Sequence, residues 1–336
     1  MLINFWITAL LCTTIASSVN AFSSVATNNN NIIKAAVVVP GFLSGADQFR
    51  PMVESLNQRG IRTVVVPMPN WHWFPCLGAR SLRPVLERID YTVRHLCAQP
   101  DASGKVDFPP FDYSAWDFVQ DMWNNPGGLM KVGGSDKIEE YPVVEPRGSF
   151  PVPSDEEYRG KIAIIGHSAG GWISRVYLSN RNYGGRAYRG SRFVHSLVTL
   201  GTPNADGVGP AFEGINWCNR EPHELRDLGI KTLAVGGQGF RGDEWDFMTR
   251  GSYAFCCPHG TDGTTYDGDG ITPIQSALAL QGADHLTLDG VTHFPWGEVS
   301  GGDLVSPKLY NDYKKDNGTW YGSEEALDQW AHWLHA

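Results

Sequence analysis

The pentapeptide Gly166-His167-Ser168-Ala169-Gly170 is the stretch of this chain best equipped for chemistry. A serine becomes a nucleophile when a neighbouring base takes its proton and fixed donors hold the charge that develops on the attacked oxygen. Upstream lies KIAII (residues 161–165), a short apolar, β-branched run of the kind that builds a buried strand. Downstream, residues 172–178 place Ile173, Val176 and Tyr177 on one helical face. Strand, G-x-S-x-G and helix together predict a sharp turn. That turn lifts the Ser168 hydroxyl to the top of a sheet and aims the Ala169 amide at an incoming carbonyl oxygen. Gly166 and Gly170 suit it, because strand and helix backbones pass close to the serine. A Gly/Ser turn that merely matches the pattern is the competing reading, and the flanking elements weigh against it.

A base, an acid and a second oxyanion donor must come from elsewhere in the chain. Of ten histidines, His293 stands just past the run 285–288, which reads as the last core strand, and is the expected base. A neutral imidazole can take the Ser168 proton and return it to a leaving alcohol. His167 fills the variable position of the pattern, His285 begins a strand, and His332 and His335 ride the final helix. Asp262, Asp267 and Asp269 share one loop, so the acid is less sharply defined. Asp269 is the first choice because it directly precedes Gly270 and the Ile-Thr-Pro that launches a helix over 274–280, and Asp267 is the reserve. A calcium loop fails on spacing. Setting Gly270 at the invariant glycine puts Thr265 in the first ligand position and Ser276 where the bidentate Glu belongs. No metal and no cofactor are expected. The second oxyanion donor is expected from Pro40-Gly41-Phe42-Leu43, which follows the strand AAVVV (35–39). The Phe42 amide is preferred and Leu43 comes second, with a plain strand-to-helix turn as the competing reading.

These groups need a scaffold, and the rest of the pattern supplies one. Apolar runs at 35–39 and 161–165 read as buried strands, and 63–66, 193–200, 230–235 and 285–288 as the further strands of the core. Between them, residues 48–58 repeat apolar positions at Phe49, Met52, Val53 and Leu56, and Val85, Leu86, Ile89, Val93 and Leu96 mark a helix after Pro84. Gly60 closes the first helix. The last helix, 324–334, carries Leu327, Trp330, Trp333 and Leu334 on one face. Apolar strands alternating with helices predict the α/β class, a mostly parallel sheet with helices on both faces. Residues 238–268 read as a long Gly-rich loop. The aromatic stretch 70–79 lies near a substrate mouth or packs the sheet edge, with packing the favoured reading. Residues 101–158, rich in Pro and Gly and without a clean strand, read as an insertion or cap placed before the serine strand. It either gates the site or decorates it rigidly.

A chain of 336 residues with 42% hydrophobic content has ample material for a core. Net charge is −9 and no basic stripe occurs, which argues against a nucleic-acid partner. Residues 5–16 form an apolar run of signal-peptide length, too short for a comfortable membrane span, and small residues follow up to Ala21. A Ser/Thr/Asn-rich stretch without acidic residues then runs to Asn31. Residues 1–34 are therefore expected to be a targeting presequence and 35–336 the folded domain. Phe22 directly after a small-residue cleavage site resembles the two-part plastid presequences of diatoms and related algae. That resemblance implies a plastid reached through the secretory membrane, with secretion or the ER lumen as the alternative. Beyond Cys12, the chain keeps Cys76, Cys97, Cys218, Cys256 and Cys257, an odd set with no C-x-x-C spacing. At most two disulfides are expected. Asn317-Gly318-Thr319 is a glycosylation sequon that matters only in the ER.

PGF at 40–42, GHSAGG at 166–171, LGTPN at 200–204, DGITP at 269–273 and GVTH at 290–293 together resemble the α/β-hydrolase superfamily and its lipase-like members. More loosely, the set is similar to the inositol-deacylase-like branch and to plastid hydrolases of plants and algae. The resemblance covers the chain from Ala35 to its end apart from the insertion. It implies the order nucleophile, acid, histidine on one α/β-hydrolase domain. It departs from the family in two places. No strand precedes Ala35, so the implied core starts at the family's third strand, and the main insertion comes before the nucleophile strand. The expectation is a serine ester hydrolase of the carboxylic-ester class. Ser168 is its nucleophile, His293 its base, Asp269 its acid, and the Phe42 and Ala169 amides its oxyanion hole. Lipid acyl esters are the expected substrates, with transient contact at a membrane surface. A small-ester carboxylesterase, an acyltransferase and a small-molecule sensor that keeps the pocket are the alternatives.

Overall fold

Six short apolar runs become the six strands of one sheet in the computed structural model, which describes residues 33, 35–68, 73, 82–98, 162–184, 186–243, 247–257, 262–294 and 318–335. The strands are β1 (Ala35–Val39), β2 (Thr63–Val65), β3 (Ile162–His167), β4 (Val194–Leu200), β5 (Lys231–Gln238) and β6 (Asp284–Asp289). They lie in the order β2-β1-β3-β4-β5-β6, and every neighbouring pair is parallel. β1 and β3 lie inside the sheet and are buried at every position, which is why their sequences are continuous apolar runs, whereas β6, expected to be a core strand, is the edge strand and is mostly exposed. One compact unit spans Ile32–Ala336. The expected presequence apart from Ile33, the insertion over 101–158, Cys76 and Asn317 lie outside the described residues.

The two-residue period of a strand sends alternate side chains to opposite faces, and each face meets helices. On one face Val37, Val39 and Ile164 pack with Val85, Ile89 and Val93 of α2 (Arg83–Ala98) and with Ile173 and Val176 of α3 (Ala169–Leu178). On the other, Val38 and Ile165 pack with Met52 and Leu56 of α1 (Arg50–Gln58). The C-terminal helix joins them there through Leu327 and Trp330. Burial of one such side chain contributes about 1.5–3 kcal/mol, so these stripes hold the layers together. The chain is thus an α/β protein with helices on both faces of a parallel sheet.

Several boundaries differ from the sequence expectation, each for a local reason. The segment expected to be a long loop over 238–268 contains a ten-residue helix, α6 (Phe247–Cys256), reached after α4 (Glu213–Asn219) and α5 (Glu224–Asp227). Among its described side chains the buried Thr249, Tyr253 and Cys256 recur at i, i+4 and i+7, and none of the three is aliphatic. β5 runs on through Gly236 and Gly237, where a side chain at 237 would meet the Val291 carbonyl at 2.5 Å. The helix expected over 274–280 is the short α7 (Ile274–Ala277). The C-terminal helix is α8 (Glu324–Trp330), continued by a 3-10 turn, Ala331–His335. A second, two-stranded sheet pairs β7 (Val291–Thr292) with β8 (Thr319–Trp320). Of the remaining cysteines, Cys97, Cys218, Cys256 and Cys257 are buried, and no two of these four are joined in a disulfide.

Candidate active site

Parallel strands put their C-terminal ends along one edge of the sheet, where α/β proteins hold their ligands. Gly41 and Phe42 follow β1 there, Ser168 follows β3, Asp269 lies in the connection after β5, and His293 follows β7. The chain therefore gathers these residues by topology before any side-chain contact is considered.

Ser168 sits between β3 and α3 with φ 52° and ψ −127°, a conformation that L residues rarely adopt. Such a residue costs about 1–3 kcal/mol and persists only where its surroundings hold it. Here the Ser168 amide donates to the Leu200 carbonyl at 2.9 Å, and the Ser168 carbonyl accepts from Gly171 at 3.0 Å. The flanking glycines are sterically required. A Cβ on Gly166 would stand 2.4 Å from the Gly171 Cα, and one on Gly170 would stand 2.3 Å from the Val39 carbonyl. Gly41 is bound by the same crowding, since its Cβ would lie 2.8 Å from the Ser168 Cβ. It brings the post-β1 loop against the turn as well as toward any ligand. The amides of Phe42 and Ala169 have no hydrogen-bond partner among the described residues, and Ala169 opens α3, where the first amides have no partner within the helix. They are available to an oxyanion.

His293 and Asp269 meet. The His293 Nδ1–H donates to Asp269 Oδ2 at 2.7 Å, and the His293 amide donates to the Asp269 carbonyl at 2.9 Å. Asp269 has no exposed surface and is bonded at both oxygens. Its Oδ1 accepts from the amides of Ile271 at 3.0 Å and Thr272 at 2.7 Å, while Oδ2 also accepts from the Tyr321 hydroxyl at 2.7 Å. A carboxylate held by four donors is oriented on all sides, so it fixes both the tautomer and the tilt of His293. Nδ1 is thereby committed, and Nε2 is the nitrogen left to act as a base. The Ser168 hydroxyl makes no hydrogen bond among the described residues, so the serine–imidazole contact is the one link of the set not made in this state. Such contacts commonly tighten only with substrate in place.

The reserve acid, Asp267, has other partners. Its Oδ1 accepts from the amides of Gly239 and Gly268, both at 2.7 Å, and it makes no contact with His293. Asp262 caps Thr264 in the same loop.

Two residues escaped the sequence reading. Tyr321 bridges the site, since its hydroxyl donates to Asp269 and accepts from the Gly237 amide at 2.8 Å. Burial and the adjacent Asp269 hold that phenol well above its ordinary pKa. No spacing rule points to it, because it arrives from the turn between β8 and α8. His167, treated as a variable position, is buried with its Nε2 at 2.6 Å from the His293 carbonyl. Its place directly before the serine was the available signal.

A cavity of about 350 Å³ opens beside Ser168. Trp73, Trp172, Ile173, Phe212, Ile215 and Cys256 are among its walls, and Phe42 and Phe255 also line it. Trp73 is the described member of the aromatic stretch. It is buried, donates its indole N–H to the Ser44 carbonyl at 3.0 Å and meets Phe42 edge-on. Packing and cavity lining coincide in this one residue. The Cys256 thiol is pushed up to about 12 by burial and then by Asp269, so it behaves as an apolar wall. Phe42, Leu43 and Phe255 are 42%, 46% and 57% exposed, which leaves apolar surface on the post-β1 loop and on α6.

No protein-family model matches this sequence, and no curated protein matches it either.

Proposed function

We propose that this protein is a serine ester hydrolase with an α/β-hydrolase fold, acting on lipid acyl esters. The carrying observation is the buried Asp269 carboxylate, bonded to His293 Nδ1 at 2.7 Å on the strand edge where Ser168 stands in strained geometry beside an apolar cavity. Ser168 Oγ attacks the acyl carbonyl carbon as His293 Nε2 takes its proton. The negative oxygen then rests on the Phe42 and Ala169 amides, each such donor stabilising the transition state by about 3 kcal/mol. The carbon–oxygen bond to the alcohol breaks as His293 returns the proton to it, leaving an acyl group on Ser168. Water, deprotonated by the same imidazole, attacks the acyl carbon, and the carbon–Oγ bond breaks as His293 returns the proton to Ser168, which releases the acid. Asp269 keeps its charge throughout and stabilises the imidazolium.

Aromatic and aliphatic walls suit an acyl chain, and the exposed Phe42, Leu43 and Phe255 suit brief contact with a lipid surface. A second reading, hydrolysis of short-chain esters, rests on the cavity's size, since about 350 Å³ is near the small end for ligand sites. The purified protein and Ser168→Ala would be exposed to a fluorophosphonate probe and then to p-nitrophenyl esters of short and long acyl chains. Labelling and long-chain turnover, both absent from Ser168→Ala, are the expected result. Labelling with short-chain turnover alone moves the assignment to a carboxylesterase. A folded wild-type protein that neither labels nor turns over ester overturns the hydrolase reading.

A further inference from the structure

The residue before the serine is tied to the residue expected to be its base. His167 is the last residue of β3, is 1% exposed, and reaches the His293 carbonyl with Nε2 at 2.6 Å. The two rings lie 4.7 Å apart between centroids, and Phe49 packs the far side of His167 edge-on at 5.3 Å. A carbonyl oxygen only accepts, so the His167 proton sits on Nε2. Nδ1 is then a bare nitrogen; it has no hydrogen-bond partner and faces Gly41. Burial, and after it the neighbouring His293, pushes His167 down to about 3, so the ring is neutral near neutral pH.

Neutrality and position both matter here. During ester cleavage the His293 ring becomes a cation, and a second cation 4.7 Å away would oppose it. The backbone of His293 is pinned at both ends, by its amide to the Asp269 carbonyl at 2.9 Å and by its carbonyl to His167. The first pin sets the histidine relative to its acid. The second sets it relative to the strand that carries the nucleophile. Resting on the hydrolase reading, we propose that His167 is a positioning residue whose Nε2–H clamps the His293 carbonyl and so fixes the reach between Ser168 and His293. It touches neither substrate nor the reacting atoms.

The test replaces His167 in the full chain with Leu or Phe, which keep apolar bulk without the donor, and with Gln, whose side-chain N–H reaches a similar point. Two signals are read, ester turnover and the NMR resonance of the His293 Nδ1–H. A displacement near 1 Å at a reacting pair costs about 100-fold. His167→Leu is therefore expected to lose about 10- to 100-fold in kcat with KM within about twofold. His167→Gln recovers most of that loss. The His293 resonance should move or broaden in the Leu and Phe variants and return toward the wild-type position in Gln. Should the Leu variant fail to fold, the Phe and Gln pair carries the same comparison. Folded Leu or Phe variants with wild-type kcat and an unmoved resonance overturn the proposal. The resonance reports on the clamp without turnover, so an inactive wild type with a shifted variant resonance sinks the hydrolase reading alone.

Discussion

Two sets of buried carboxylates show how differently this protein uses the same group. Asp269 is held entirely by neutral donors, namely two backbone amides, the Tyr321 hydroxyl and the His293 imidazole. On α2, Asp90 faces Arg94 at 2.8 Å and Glu87 is paired with Arg186 and, at 3.5 Å, with Arg83. There the charge is already matched by guanidinium groups. Among the described residues no Lys or Arg shares the Asp269 carboxylate, so on the proposed hydrolase reading its charge would meet the one that forms on His293. One set ties a helix to its neighbours, and on that reading the other would meet a charge that comes and goes.

The largest expected effect follows from removing that readiness. Asp269→Asn keeps the shape but presents either an amide N–H to His293 or a weaker acceptor, and the imidazole then settles in the wrong tautomer. By the logic of triads, kcat should fall by about 10⁴-fold. Steady-state turnover beside the melting temperature checks this, because the loss must occur in folded protein. A kcat within tenfold of wild type would remove Asp269 from the reaction.

Asp90 should reveal its different role through pH. Burial outweighs Arg94 and pushes its carboxyl up to about 6, against an ordinary value of 3.8. The folded state then binds the proton more tightly than the unfolded chain, so the stability it contributes is present below about 4 and falls as pH rises through about 6. Tyr177 also touches this carboxylate, and Glu87 adds a like charge nearby. Two pKa units correspond to about 3 kcal/mol, to be read as the difference between wild type and Asp90→Asn in urea unfolding across that window. Losing the Arg94 contact shifts every point alike, and the slope is the diagnostic quantity. A difference that stays flat would contradict the assignment.

Tyr321→Phe joins the two themes at smaller scale. It removes one donor to Asp269 and strands the Gly237 amide, a loss of about 1–3 kcal/mol in stability for an unsatisfied buried group. Asp269 keeps its other three donors, His293 among them, so turnover should fall by about tenfold at most, roughly the worth of one hydrogen bond. Denaturant unfolding and kcat on the same preparation separate the two effects.

What the sequence made legible follows from where its information sits. β1 and β3 are buried on both faces, so their signal is strong and local, and the Ser168 turn inherits its sharpness from Gly166 and Gly170. α6 was missed because its described inward positions, Thr249, Tyr253 and Cys256, make a buried stripe without an aliphatic residue. Tyr321 and β8 depend on pairing with a segment distant in sequence, and no local pattern encodes a partner of that kind. His293 and Asp269 were reachable because strand ends limit the candidates to a few. Their mutual geometry was beyond the sequence, and so was the link from His167 to the His293 carbonyl.

The smallest expected effect sharpens the comparison within one loop. Asp267 and Asp269 are two residues apart, yet the chain turns them to separate tasks. Asp267 accepts two amides through Oδ1 alone, which ties the end of β5 to the loop before α7. Asparagine keeps an oxygen at that point, so Asp267→Asn retains both hydrogen bonds and gives up only their charge assistance, about 1 kcal/mol or less in stability. Because Asp267 does not touch His293, kcat should stay within about twofold of wild type. Replacing each aspartate in parallel and measuring ester turnover decides the matter. A deep loss at Asp267 with a mild one at Asp269 would reverse the roles, and would require the loop to rearrange when substrate binds.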